Sequence, residues 1–185
     1  MVGSPRVENL PGDPDEPRVG ETRERLVGLY QRSHLETTAV PHARRVLADS
    51  GGRYGNDDNR TLTAADRLVA LCRASKDPDD KPRALELSKL VLGVREYKLG
   101  PGHPDVLNGR LALAGLYRES GQPREAAGQY ERAREDTKRH YDAGDPVGDG
   151  IRRKISDGLA ALGAGWNSTE ITRDGAEKRA YRPPS

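Results

Sequence analysis

The sequence predicts an all-α fold, an α-solenoid of three antiparallel helix pairs followed by a C-terminal capping helix. Three observations predict it. Leu62, Leu68, Leu71 and Arg73 recur 45 residues later as Leu107, Leu113, Leu116 and Arg118. Ala84 and Pro104 recur 42 residues later as Ala126 and Pro146, and the three-residue difference falls in one loop, Asp77 to Asp80. A more worn copy comes first: Leu26 and Leu29 lie 42 residues before Leu68 and Leu71, whereas Ala39 lies 45 before Ala84. The offset therefore switches across the same loop, as one insertion in the middle copy requires. Self-similarity at this period marks stacked repeats, in which each unit lends its neighbour the hydrophobic cover it lacks.

Composition agrees. Apolar residues make up 34% of the chain and charged residues 32%, with no Phe and one Trp. A compact globule would want more large apolar side chains, but a stack of helices needs only one stripe on each. Ala, Leu and Val supply most of that stripe, so packing should be thin and stability modest.

Residues 1–18 hold prolines and charges with little that is apolar, and read as a disordered N-terminal segment. The repeat domain is expected over 19–162 and a flexible C-terminal tail over 163–185, docking locally through Trp166. The first helix is expected over 20–33, with Thr22 as N-cap and Leu26, Leu29 and Tyr30 as its buried stripe. Its partner runs from about 38 to 50, with Pro41 in the first turn and Gly51-Gly52 ending it. The second pair is expected at about 61–75, started by Thr61 or Thr63, and 80–98, capped by Asp80. Leu85, Leu87, Leu90, Val91, Leu92 and Val94 make this last helix the most apolar of the chain. The third pair is expected at 105–119, capped by Asp105, and 123–141, with Gly121 as left-handed stop and Pro123 opening the second helix. Ile151, Ile155, Leu159 and Leu162 then form one stripe on a helix over 148–162, suited to cover an open end of the stack.

The pattern Thr61-Leu62, Leu68, Leu71 and Arg73, then Ala84, then Leu99-Gly100-Pro101 with His103-Pro104-Asp105, resembles the tetratricopeptide repeat in its 42-residue form, as in kinesin light chains. Leu107, Leu113, Ala114, Leu116, Tyr117, Arg118, Gly121, Ala126, Tyr130 and Ala133 continue it in the next copy. The resemblance covers about residues 19–162 and implies a non-enzymatic protein-interaction module with a concave face lined by the first helix of each pair. Such repeats often carry asparagines just before the first-helix leucine, where they clamp a peptide backbone. Here those places hold Glu24 and Arg25, Asp66 and Arg67, and Leu111 and Ala112, so that clamp is missing.

A search for chemistry finds surface rather than catalysis. None of His34, His42, His103 and His140 has a His or Cys at metal-helix spacing, and His103 sits in a structural turn. The acidic clusters Asp57-Asp58 and Asp77-Asp79-Asp80 lack the alternating ligands and glycine of a calcium loop, and no Ser stands in a nucleophile elbow. No cofactor or metal is expected. Cys72 reads as a small buried hydrophobe. A net charge of +2 does not point to nucleic acid, no apolar run reaches the length of a membrane span, and the protein is expected in the cytoplasm. Opposite the leucines of the first helices lie Glu21, Glu24, Gly28 and Gln31, then Thr63, Asp66, Ala70 and Arg73, then Asn108, Leu111, Gly115 and Arg118. Small residues at Gly28, Ala70 and Gly115 leave a floor for an extended peptide. Asp66, Arg73, Asn108 and Arg118 are the candidate contacts. The expected partner is a protein or peptide, and a second copy of the chain is a further option. Two alternatives stay open, the sensor arm of a transcriptional or signalling regulator and a repurposed small-molecule binder or enzyme.

Overall fold

The computed structural model describes residues 17–163, with side chains from residue 22. The expectations for residues 1–16 and for the tail beyond Gly163, Trp166 included, lie outside this range. Among the described residues there are seven helices: α1 (Pro17–Arg32), α2 (Glu36–Tyr54), α3 (Asn59–Ala74), α4 (Asp80–Leu99), α5 (Pro104–Glu119), α6 (Pro123–His140) and α7 (Pro146–Gly163). This is the expected all-α class, three helix pairs and a final helix. The chain divides into two compact units, one up to Leu87 and one from Ser88, with the break inside α4.

In the first unit α2 packs against both α1 and α3. Ala39, Val40, Ala43 and Val46 of α2 are buried, as are Leu62, Ala65, Leu68, Leu71 and Cys72 of α3. The face of α1 differs from expectation. Val27 enters the core at 1% exposure, Leu26 is half-buried, and Leu29 is 51% exposed. Leu71, its counterpart one repeat later, is 1% exposed. The period marks the position but does not fix how far α1 turns about its own axis.

Local signals correct the expected helix ends. Thr22 is inside α1 rather than capping it. Pro41 lies in the second turn of α2, because that helix starts at Glu36. Gly51-Gly52 does not end α2; the stop is Gly55, whose φ of 92° suits a residue without a Cβ. The cap of α3 is Asp58, which accepts from the Arg60 N–H at 2.9 Å, so neither Thr61 nor Thr63 starts that helix. Asp80 does more than begin α4. At 2% exposure it takes Arg44 at 3.1 Å and Arg83 at 3.4 Å. The Thr37 and Ser75 hydroxyls meet at 3.2 Å close by, tying α2 to the turn after α3.

In the second unit α5, α6 and α7 pack on one another. Leu107, Ala114, Ala126, Tyr130, Ala133, Ile151, Ile155 and Leu162 form the core, with Leu111, Tyr117, Tyr141 and Leu159 around it. Ile151, Ile155 and Leu162 are the anticipated stripe of α7, and burying each contributes about 2 kcal/mol. Gly158 lets α7 approach, since a Cβ there would fall on the Tyr130 ring. The cap of α5 is His103, whose Nδ1 accepts from the Asp105 N–H at 3.2 Å; Asp105 is itself helical. Gly121 is left-handed at φ 70°, its N–H donates to Arg118 O, and Gln122 N–H donates to Tyr117 O, the paired bonds of a Schellman stop. Leu90, expected in the apolar face of α4, is 58% exposed, because that helix carries leucines on more than one side.

Candidate functional site

The first-helix positions build a groove in the first unit. Glu24, Arg25, Gly28, Leu29 and Arg32 of α1 and Arg67 of α3 line an open depression of about 570 Å³. Arg25, Leu29 and Arg32 fall at i, i+4 and i+7, which puts them on one stripe of α1. Gly28 keeps the floor low: a Cβ built there would meet only the Arg32 Nη1, at 4.0 Å. The lining therefore pairs one large exposed apolar side chain with three guanidinium groups and one carboxylate. Arg25 and Arg67 are repeat equivalents, 42 residues apart, so one register delivers a cation from each helix.

Of the residues expected to face a partner, Glu24 and Gly28 line this groove. Asp66 and Arg73 are exposed on α3, seven residues apart and so on nearly the same side of it. Asn108 and Arg118 are exposed on α5, ten residues apart and turned away from a common line. Asn108 is engaged on both ends of its amide. Its Nδ2 donates to Pro104 O at 2.9 Å, and its Oδ1 accepts from the Lys154 ammonium at 2.9 Å. Leu111, expected on the open stripe of α5, packs instead against the core that α7 completes. Arg25, Leu29, Arg32 and Arg67 were not among the expected contacts. The repeated Arg25/Arg67 position was the available signal, whereas Leu29 was masked by its resemblance to a core leucine.

The remaining chemistry is structural. Burial first, and the Asp80 carboxylate second, push the Cys72 thiol above its ordinary value of 9.0, while Arg44 and Arg83 pull it down. The thiolate needed for reactivity is thus disfavoured. Tyr54 carries the Arg60 guanidinium on its ring at 3.6 Å, and the hydrogen bonds that this guanidinium donates to the Asp58 carboxylate hold its pKa up. Among the described residues no group of three His, Cys, Asp or Glu side chains could hold a metal ion, and no helix is long and apolar enough to cross a membrane.

No family model matches the sequence, and no curated protein matches it. Solved structures do. The TPR-like-repeat kinesin light chain of Podosopora anserina is similar at TM-score 0.61 and 19% identity, covering 91% of this chain and 79% of that one. A single-residue variant of it is similar at 0.62 and 19%, covering 90% and 78%. BtubC (BKLC) from P. vanneervenii is similar at 0.58 and 17%, covering 96% and 70%. At these identities the likeness is one of fold, and the fold is the TPR-like, kinesin-light-chain type that the repeat pattern resembles.

Proposed function

We propose that this protein is a non-enzymatic protein-interaction module that takes an extended peptide in the groove of α1 and α3. The observation that carries the reading is Leu29. A leucine left 51% exposed between arginines, on the floor of a depression, is an apolar anchor point inside a charged rim. Helical repeats of this fold present surfaces rather than reaction centres, and the described side chains offer no catalytic arrangement that competes with the groove. Asp66 and Arg73 on α3 are proposed as further contacts within the first unit, and Asn108 and Arg118 on α5 as separate contacts within the second. Asn108 meets a partner together with Lys154, to which it is already bonded.

A peptide array probed with the full chain tests this. Peptides retained by the parent protein should be lost from a Leu29→Asp/Arg67→Ala variant with an unchanged circular dichroism spectrum. They should be weakened, with lesser effect, by Arg73→Ala/Arg118→Ala. Equal retention by the first variant would remove the groove from the reading.

A further inference from the structure

We infer that the groove is built for a phosphorylated peptide, with the phosphate on Arg25, Arg32 and Arg67 and a neighbouring apolar side chain on Leu29. This rests on the peptide-binding reading of the same groove and names its ligand class. Three arginines against the single Glu24 leave a surplus of two positive charges in the lining. A phosphomonoester carries about −1.5 to −2 at neutral pH and offers three acceptor oxygens, whereas a carboxylate offers one charge and two oxygens. The dianion matches the surplus; a single carboxylate leaves part of it uncompensated.

The kind of cation points the same way. Every cation of the lining is an arginine. A guanidinium presents paired N–H donors in a rigid fork that fits phosphate bidentately, which an ammonium does not. Arg25 and Arg32 stand two turns apart on one stripe, about 10 Å along the axis, and Arg67 comes from the facing helix, so an anion between them is approached from two helices. Leu29 lies between the two α1 arginines, about 6 Å from Arg25 and about 4.5 Å from Arg32 along the axis. An extended chain rises about 3.3 Å per residue, so the apolar side chain belongs one or two positions from the phosphorylated one. The open space above Gly28 admits the backbone that joins them.

The test uses the full chain, immobilised, and three pooled octapeptide libraries that differ only in a central phosphoserine, serine or glutamate. Retained peptides are quantified by mass spectrometry. The phosphoserine pool should be enriched at least about tenfold over the glutamate pool, with apolar residues enriched one or two positions from the centre. Inorganic phosphate should compete for the retained peptides. Arg25→Ala and Arg67→Ala should each abolish the preference for phosphoserine, and Arg67→Lys should keep only part of it. Equal retention of the phosphoserine and glutamate pools would overturn the phosphate inference and leave the peptide groove standing. No retention of any pool would overturn both. A phosphoserine preference that survives Arg25→Ala and Arg67→Ala would overturn the site.

Discussion

Replacing Arg110 by Met tests whether a buried ion cluster holds α5 to its neighbours within the second unit. Arg110 is 8% exposed, and its Nη2 lies 2.8 Å from Glu96 Oε1 and 3.4 Å from Asp136 Oδ2. One side chain thus bridges the end of α4 to α6. The Glu96 side chain is 34% exposed, so water can solvate it once the guanidinium is gone, and that half contributes about 1 kcal/mol or less. The Asp136 side chain is 11% exposed and would retain Arg139 at 3.7 Å, beyond hydrogen-bond reach. Stripping a buried carboxylate of its partner costs about 3–5 kcal/mol, and the Arg139 charge offsets part of it. Arg110→Met should therefore destabilise by about 3 kcal/mol. Arg110→Met/Asp136→Leu removes both charges and should return to within about 1 kcal/mol of the parent, about 2 kcal/mol more stable than the single variant. The pair matters because Arg110 Nε has no hydrogen-bond partner among the described residues, so the cluster is not fully satisfied even as it stands. Urea unfolding followed by circular dichroism, with amide exchange on α5 and α6, reads both numbers. A single-variant cost under about 0.5 kcal/mol, the range of an ordinary surface change, would refute the reasoning. So would a double variant no more stable than the single.

Four further outcomes follow from local geometry. His34 closes α1 at φ 53°, with Leu35 N–H on Tyr30 O and His34 N–H on Gln31 O, the same bonds that Gly121 supports at the end of α5. His34→Gly should raise the unfolding free energy measured in urea by about 1 kcal/mol, through relief of the left-handed penalty; a loss would refute that strain. His103→Ala should cost about 1 kcal/mol as a lost cap, while Asp105→Ala should cost about half that, through the helix dipole alone; the reverse order in thermal melts would return the cap to Asp105. Gly158→Ala should cost about 1–3 kcal/mol by driving a methyl into the Tyr130 ring, with amide exchange rising first in α7; unchanged exchange there would count against the close α6–α7 contact. Because the folded Cys72 thiol ionises above its ordinary 9.0, the unfolded chain loses that proton first. Its contribution is therefore whole below about pH 9 and falls as pH rises through the folded value. Cys72→Ala should flatten the alkaline limb of the stability curve relative to the parent, and superimposed limbs would contradict the shift.

What the repeat pattern could and could not show follows from how each residue's surroundings arise. Leu62, Leu68, Leu71, Leu107, Leu113 and Leu116 are buried as the period requires, in helices that pack on α2 in the first unit and on α6 and α7 in the second. Gly121 and Pro123 act through their own backbones, so their roles are local and legible. Leu29 obeys the same period and yet stands 51% exposed, since the period does not record how far a helix turns about its own axis. Arg110 was illegible for another reason. Its partners are 14 and 26 residues away, and nothing in the spacing of a charged residue says that two carboxylates will close on it.

The candidate groove belongs to this second class. Arg25 and Arg67 share a repeat position whose third member is Ala112, so the cationic pair ends where the third copy begins. A repeat fold conserves the positions that hold it together from copy to copy, and can vary the rest without penalty. Binding chemistry is therefore carried by departures from the repeat: an arginine present twice and then absent, a core leucine turned outward, a glycine opening the floor beside it. Those departures look like noise while the period is being established. They acquire meaning only when the helices bring Arg25, Leu29, Arg32 and Arg67 to one depression, and that depends on the turn of α1 about its own axis, which no offset of 42 or 45 residues records.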